Sequence, residues 1–209
     1  MVALKEMPYT EKYAKVIDSM KFSETLIVPF VQKQLGDQAV AEFRKTWQEG
    51  MKPIPEGASF EEKYELAYAN WIRFGKNDFS FIRERMGEDG LKKYERTVVE
   101  ALKKKNASPA LVFLKLIRLF SPGTAFAMTA KQMGYQLQWI SPGSVSEFTK
   151  QKVAFNIPRC KILDFPGTED LCFVGCQSIY PKWVAEQFKV DMKFNRQGND
   201  CTCILTPLS

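Results

Sequence analysis

No histidine occurs anywhere in the 209 residues. Its absence excludes Ser-His-Asp and Cys-His catalysis, His-ligated zinc or non-haem iron, and the one side chain that titrates unperturbed near neutrality. There is also no glycine-rich phosphate loop, no GxSxG and no GxGxxG, which argues against nucleotide and Rossmann chemistry. Long hydrophobic runs are missing too. The longest, Ala110 to Phe120, is interrupted by Lys115 and Arg118 and falls well below the ~20 residues of a membrane span. Met1 to Thr10 carries Lys5 and Glu6 without an apolar core, so neither a signal peptide nor a lipid-linked leader is expected. These absences predict a cytoplasmic chain with no transmembrane segment. They leave any chemistry to Cys, Asp, Glu, Lys, Tyr or a bound cofactor.

What is present suits one compact domain or slightly more: 45% of residues are hydrophobic and 26% charged. The net charge of +6 is concentrated locally. Between Leu91 and Arg118 stand eight basic residues against Glu95 and Glu100 alone. Because Leu91 to Lys105 interleaves those charges with Leu, Tyr, Val and Ala at helical spacing, a solvated helix face is the first expectation. An anionic partner or membrane surface is the second, and nucleic acid is not expected. Ala110 to Phe120, apolar around most of its circumference, is expected to be buried between domains, with lipid docking as the alternative.

The first two thirds read as helices. Tyr13, Ile17 and Met20 share a face, Phe43 and Trp47 sit four apart after Asp37, and Met51 to Ala58 is a connection. Ser59 to Glu62 forms a capping box, predicting a helix to about Gly75 with Tyr64, Ala67, Trp71 and Phe74 inward. Shorter helices are expected from Asn77 to Met86, stopped by Gly87, and from Leu91 to Lys105. A further helix starts at Ser108-Pro109, and Thr124 to Met133 follows a break at Ser121-Pro122-Gly123. After Gly134, Tyr135 to Ile140 and Lys152 to Ile157 alternate like strands. Ser178 to Phe188 reads as a short helix, and Lys189 to Phe194 and Cys201 to Leu205 as strands around an Asn195 to Asp200 turn. The expected fold class is α+β: a helical region (1–134) packed on a smaller antiparallel α+β cysteine-rich unit (135–209).

All five cysteines, Cys160, Cys172, Cys176, Cys201 and Cys203, fall in the last fifty residues. Cys172 and Cys176 share a face if their segment is helical, and Cys201 and Cys203 share a side of a strand. Thiolates are soft ligands, and four without histidine fit a tetrahedral zinc or a cubane cluster. Three would leave one iron open as a Lewis acid. A thiol nucleophile or redox pair, and simple core packing, are the other readings. Cys201 is the first candidate for the spare cysteine.

The Arg159-Cys160-Lys161-Ile162-Leu163 stretch, the Cys172-Phe173-Val174-Gly175-Cys176 pair and the spacing to Cys203 resemble the C-terminal cysteine domain of the plant β-carotene isomerase family of strigolactone synthesis. Ser108 to Lys115 and Trp139 to Gly143 are similar to the stretch ahead of that domain. The Gly198 to Cys203 ending resembles the L-2-amino-thiazoline-4-carboxylate hydrolase-like family. The resemblance covers roughly residues 60–209 and implies Cys160, Cys172, Cys176 and Cys203 as the ligand set. The plant family is iron-dependent and isomerises a C40 carotenoid; the hydrolase family opens a sulfur-containing ring. Without histidine, iron here has only sulfur or carboxylate to hold it.

Glu169 and Asp170 beside Cys172, and Asp200 beside Cys201, read as ligands or proton shuttles, or else as turn formers and caps. Trp139, Tyr180 and Trp183 read as pocket lining or as core. The expected function is a metalloenzyme holding a 4Fe-4S cluster on Cys160, Cys172, Cys176 and either Cys201 or Cys203. An open iron would drive hydrolysis, desulfurisation or isomerisation of a small-molecule substrate, with Asp170 or Asp200 handling protons. The alternatives are a non-catalytic zinc- or cluster-containing small-molecule sensor and an isoprenoid isomerase. Zinc and mononuclear iron stand as other cofactors, and a homodimer is left open.

Overall fold

The computed structural model of the chain describes residues 4–208. Met1 to Ala3, within the segment read above as free of a leader, and Ser209 lie outside it. Helix α1 (Tyr9–Leu35) leads through Gly36 into α2 (Asp37–Gln48), and both pack on the long α3 (Phe60–Lys105). The capping box forms as its sequence predicts. Ser59 Oγ accepts from the Glu62 amide at 3.2 Å, and the Glu62 carboxylate accepts from the Ser59 amide at 2.8 Å. Tyr64, Ala67, Trp71 and Phe74 are buried. The helix does not stop at Gly75, because Phe79, Phe81 and Ile82 continue its apolar face into the same core. Only Gly87 leaves helical geometry, with φ 67° and ψ −169°, a backbone that side-chain-bearing residues rarely adopt. The break expected near Gly75 is therefore absent, while the one expected at Gly87 is present as a kink between two helical stretches. Phe43 and Trp47 of α2 meet Phe74 edge-on, with ring centroids 6.0 and 5.0 Å apart.

Helix α4 (Pro109–Phe120) starts at Ser108, whose Oγ accepts from the Leu111 amide, with proline at the first helical position. Its main packing partner is α5 (Pro122–Leu137). The expectation that α4 is buried fails. Leu111 is buried, but Val112, Phe113, Leu116, Leu119 and Phe120 are exposed, because α5 covers one side of the helix only. Among the described residues no helix is long and apolar enough to cross a membrane.

Tyr135 to Ile140, expected as a strand, forms the last turn of α5 and the turn after it. The amides of Ile140 and Ser141 donate to Leu137 O at 2.9 and 3.0 Å. The hydroxyls of Tyr64 and Tyr68 donate to Trp139 O and Ile140 O at 3.0 and 2.6 Å. Contacts with α3 thus override a local alternation.

A four-stranded antiparallel sheet follows, in the order β1-β2-β4-β3. It comprises β1 (Ser144–Phe148), β2 (Val153–Ile157), β3 (Val190–Gln197) and β4 (Asp200–Pro207). Strand β1 forms between Ile140 and Lys152, a stretch where no strand is expected from the sequence. The inner face of the sheet places Phe155, Met192, Cys203 and Leu205 against Phe126, Ala130 and Met133 of α5 and Val184 of α6 (Tyr180–Phe188). Close approach of α5 to the sheet requires Gly134, since a Cβ there would run into the Phe155 ring. The architecture is α+β.

Candidate functional site: a thiol-lined cavity

Four of the five cysteines, Cys160, Cys172, Cys176 and Cys201, line one cavity of about 50 Å³ where the helical region meets the sheet. Three segments bring them together.

The first segment is the turn after α5 together with a short 3-10 helix (Lys161–Asp164). Buried Ser141 accepts from the Lys161 amide at 2.7 Å, and its hydroxyl lies 3.9 Å from Cys160 Sγ. The Cys160 amide donates to Asn199 O at 2.7 Å, which ties it to the β3–β4 hairpin. Lys161 Nζ sits 4.3 and 4.5 Å from the Tyr64 and Tyr68 ring centroids and 2.6 Å from the Glu65 carboxylate. Cation–π and ionic contacts thereby clamp this segment to α3.

The second segment is a π-helix (Leu171–Ile179) running directly into α6. Its wider hydrogen-bond ring is rare and frequent at functional sites. Arg83 of α3 pairs with Asp170 at its start, and Glu95 accepts from Ser178 and Lys182 at 2.7 Å each near its end. Leu171 lies so close to Gly75 that a Cβ there would come within 2.6 Å of it. These contacts turn Cys172 and Cys176 toward the cavity.

The third segment is the end of the sheet, where Ile157, Cys201 and Arg196 stand in one register row across β2, β4 and β3. Strand alternation carries Met192, Phe194 and Arg196 to the same face, and all three line the cavity. Arg196 is the one charged residue of the lining, and its Nε–H is oriented by Gly198 O at 2.8 Å.

Burial pushes three of these thiols up. Cys176 is held well above the ordinary thiol range by desolvation, reinforced by Cys160, Cys172, Cys201 and Cys203 around it. Cys201 is pushed up to about 11, first by desolvation and then by Cys160 and Cys172, against the pull of Arg196. Cys172 is raised by desolvation, with Arg196 opposing, and accepts from Gln177 Nε2 at 3.7 Å. Near neutral pH these three thiols carry their protons and give the cavity a soft, polarisable wall.

Cys203, one of the expected ligands, lies outside the cavity lining, fully buried in the sheet core, whereas Cys201 is part of the lining. Asp170 is held by Arg83, Asp200 is exposed at the start of β4, and Glu169 is exposed; none of the three lines the cavity. Tyr180 lines it. Trp139 packs edge-on against Trp71 at 5.1 Å, and Trp183 lies between Tyr180 and Phe188. Sequence reasoning missed Arg196 because it ended the strand at Phe194. Two more residues of the same alternation would have found it.

The 4Fe-4S expectation is overturned. Among the described residues no three His, Cys, Asp or Glu side chains are disposed to hold a metal ion. The open-iron hydrolase, desulfurisation and isomerase chemistry falls with it. A C40 carotenoid does not fit about 50 Å³.

No protein-family model matches this chain, and no curated protein does. Among solved structures, the Fe(II) unliganded H-NOX protein from K. algicida is similar at 12% identity and a TM-score of 0.43, over 91% of this chain and 96% of that one. A point mutant of that protein is similar at 14% identity and a TM-score of 0.38, over 90% and 96%. The resemblance to the amino-thiazoline hydrolase-like and carotene isomerase families is therefore corrected: no match supports it, and the similar structures carry a different description.

Proposed function

We propose that this chain is a binding domain for a compact carboxylate, with the ligand's apolar body among Ile140, Ile157, Met192 and Phe194 and its head on Arg196. One observation carries this: a single guanidinium stands on a cavity whose other walls are apolar side chains, thiols and the uncharged residues Ser141 and Tyr180. A planar guanidinium fork matches a carboxylate with two parallel hydrogen bonds, and no acidic side chain lines the cavity to compete for it. A water needs about 10–15 Å³ of such room, so about 50 Å³ admits a ligand of a few non-hydrogen atoms. Protonated thiols favour holding the ligand over attacking it. A cytoplasmic, reducing setting keeps them as thiols.

Methyl-labelled methionine NMR tests the proposal. Titrating butyrate should shift the Met192 methyl saturably, while the uncharged isostere butyramide binds more weakly and Arg196→Ala costs about tenfold or more in affinity. Absence of a saturable shift, or equal binding of butyrate and butyramide, refutes it.

A further inference from the structure

The exposed residues of α4 form a stripe. Val112, Phe113, Leu116, Leu119 and Phe120 fall at positions i, i+1, i+4, i+7 and i+8, one arc of about 120° on a helical wheel. Leu119 is 75% and Phe120 87% exposed, so this is no loosely covered core. The opposite side carries buried Leu111 and Arg118, which donates to Phe188 O at 3.2 Å and holds the helix in place. An apolar patch of this continuity marks an interaction surface.

The charges around it narrow the occupant. Between Glu100 and Glu147 the chain has no acidic residue, whereas Lys103, Lys104, Lys105, Lys115, Arg118 and Lys131 fall within that span. Lys115 borders the stripe one turn before Leu119. Exposed Lys104 and Lys105 precede the helix, and Lys150 lies against Gly123 in the turn just past Phe120. The stripe is thus flanked by positive charge along one edge and at both ends. Two copies of this chain meeting stripe to stripe would bring those cations face to face, since a two-fold contact joins like to like. An anionic surface meets no such cost. At 12 residues and ~1.5 Å rise per residue, α4 is too short to span a bilayer of ~30 Å and suited to lie in its interface.

We infer that α4 is an interfacial anchor that lays this chain on an anionic lipid surface, its aliphatic and phenyl side chains among the acyl chains and its lysines at the headgroups. Sedimentation of the full chain with vesicles is the test. Binding is expected to phosphatidylcholine vesicles containing phosphatidylserine, to weaken as salt is raised, and to be poor on phosphatidylcholine alone. Leu119→Ser with Phe120→Ser, both at exposed positions and checked for retained folding by circular dichroism, should lower the bound fraction about tenfold or more. Lys115→Glu should weaken binding to the anionic vesicles alone. Failure to bind anionic vesicles, binding that ignores the double substitution, or equal binding without phosphatidylserine overturns the inference. So does a concentration-dependent dimer that the same double substitution dissolves, which would assign the stripe to a second copy.

Discussion

Replacing Cys201 with alanine should change how stability depends on alkaline pH, beyond any constant offset. In the unfolded chain the thiol ionises near pH 9, whereas in the folded chain it keeps its proton to about 11, because burial and the neighbouring Cys160 and Cys172 disfavour the thiolate. The unfolded state therefore loses its proton first. Stability supported by the neutral thiol is complete below about pH 9 and is lost as pH rises toward 11. A tenfold difference in proton affinity is worth ~1.4 kcal/mol, so the hundredfold difference here sets a ceiling of about 2.7 kcal/mol. Cys201 is only half-buried, and solvent screening brings the expected loss to about 1–2 kcal/mol. The assay is urea unfolding of both proteins at closely spaced pH values from neutrality to pH 11. The difference between their free energies should be flat to about pH 9, then shift in favour of the alanine variant. Parallel curves across the whole range would show that Cys201 titrates alike in both states, and the picture of a neutral thiol wall would be wrong. Cys172, Cys176 and Cys203, all raised by burial, remain in both proteins and cancel to first order.

Gly134→Ala drives a methyl group into the Phe155 ring beneath α5. Overpacking of this kind costs about 1–3 kcal/mol, so melting should fall by roughly 3–10 °C in a thermal scan, and an unchanged melting point would contradict the close approach. Asp78 is buried, with Tyr94 donating to its Oδ2 at 2.9 Å and, among the described residues, no partner for Oδ1. Burial holds its carboxyl well above the usual range, so the wild type should lose stability as pH climbs out of the carboxylate range, because the unfolded chain gives up the proton first. Asp78→Asn removes that slope, and denaturant midpoints that fall equally with pH in both proteins would refute the burial argument.

Much of the helical half was legible because its signals are local. Ser59 and Glu62 announce a helix start whatever lies around them, and Tyr64, Ala67, Trp71 and Phe74 mark the inner face by spacing alone. The run past Gly75 was not legible, since glycine there serves the approach of Leu171, about a hundred residues away in sequence. Tyr135 to Ile140 misled for the same reason. Its alternation is genuine, but hydroxyls from α3 reward a turn. The clustering of cysteines is legible in the sequence, and four of the five line one cavity, but the iron-sulfur chemistry read from it is overturned. Sequence spacing shows which thiols can share a face, and only the packing shows that burial keeps Cys172, Cys176 and Cys201 protonated. Arg196 went unnoticed because its place depends on where β3 ends.

The strand order gives the cavity one more property. Because β4 lies between β2 and β3, those two strands do not touch each other, and both halves of the rim are joined through β4 alone. Ile157 stands on one side of Cys201 and Arg196 on the other. Loosen β4 and the sheet falls into two separate pieces, with Ile157 on one and Met192, Phe194 and Arg196 on the other. A ligand reaching from Ile157 to Arg196 therefore bridges the two pieces like a rivet. It binds only when β4 is seated, so by mass action its concentration sets how firmly that strand stays in place.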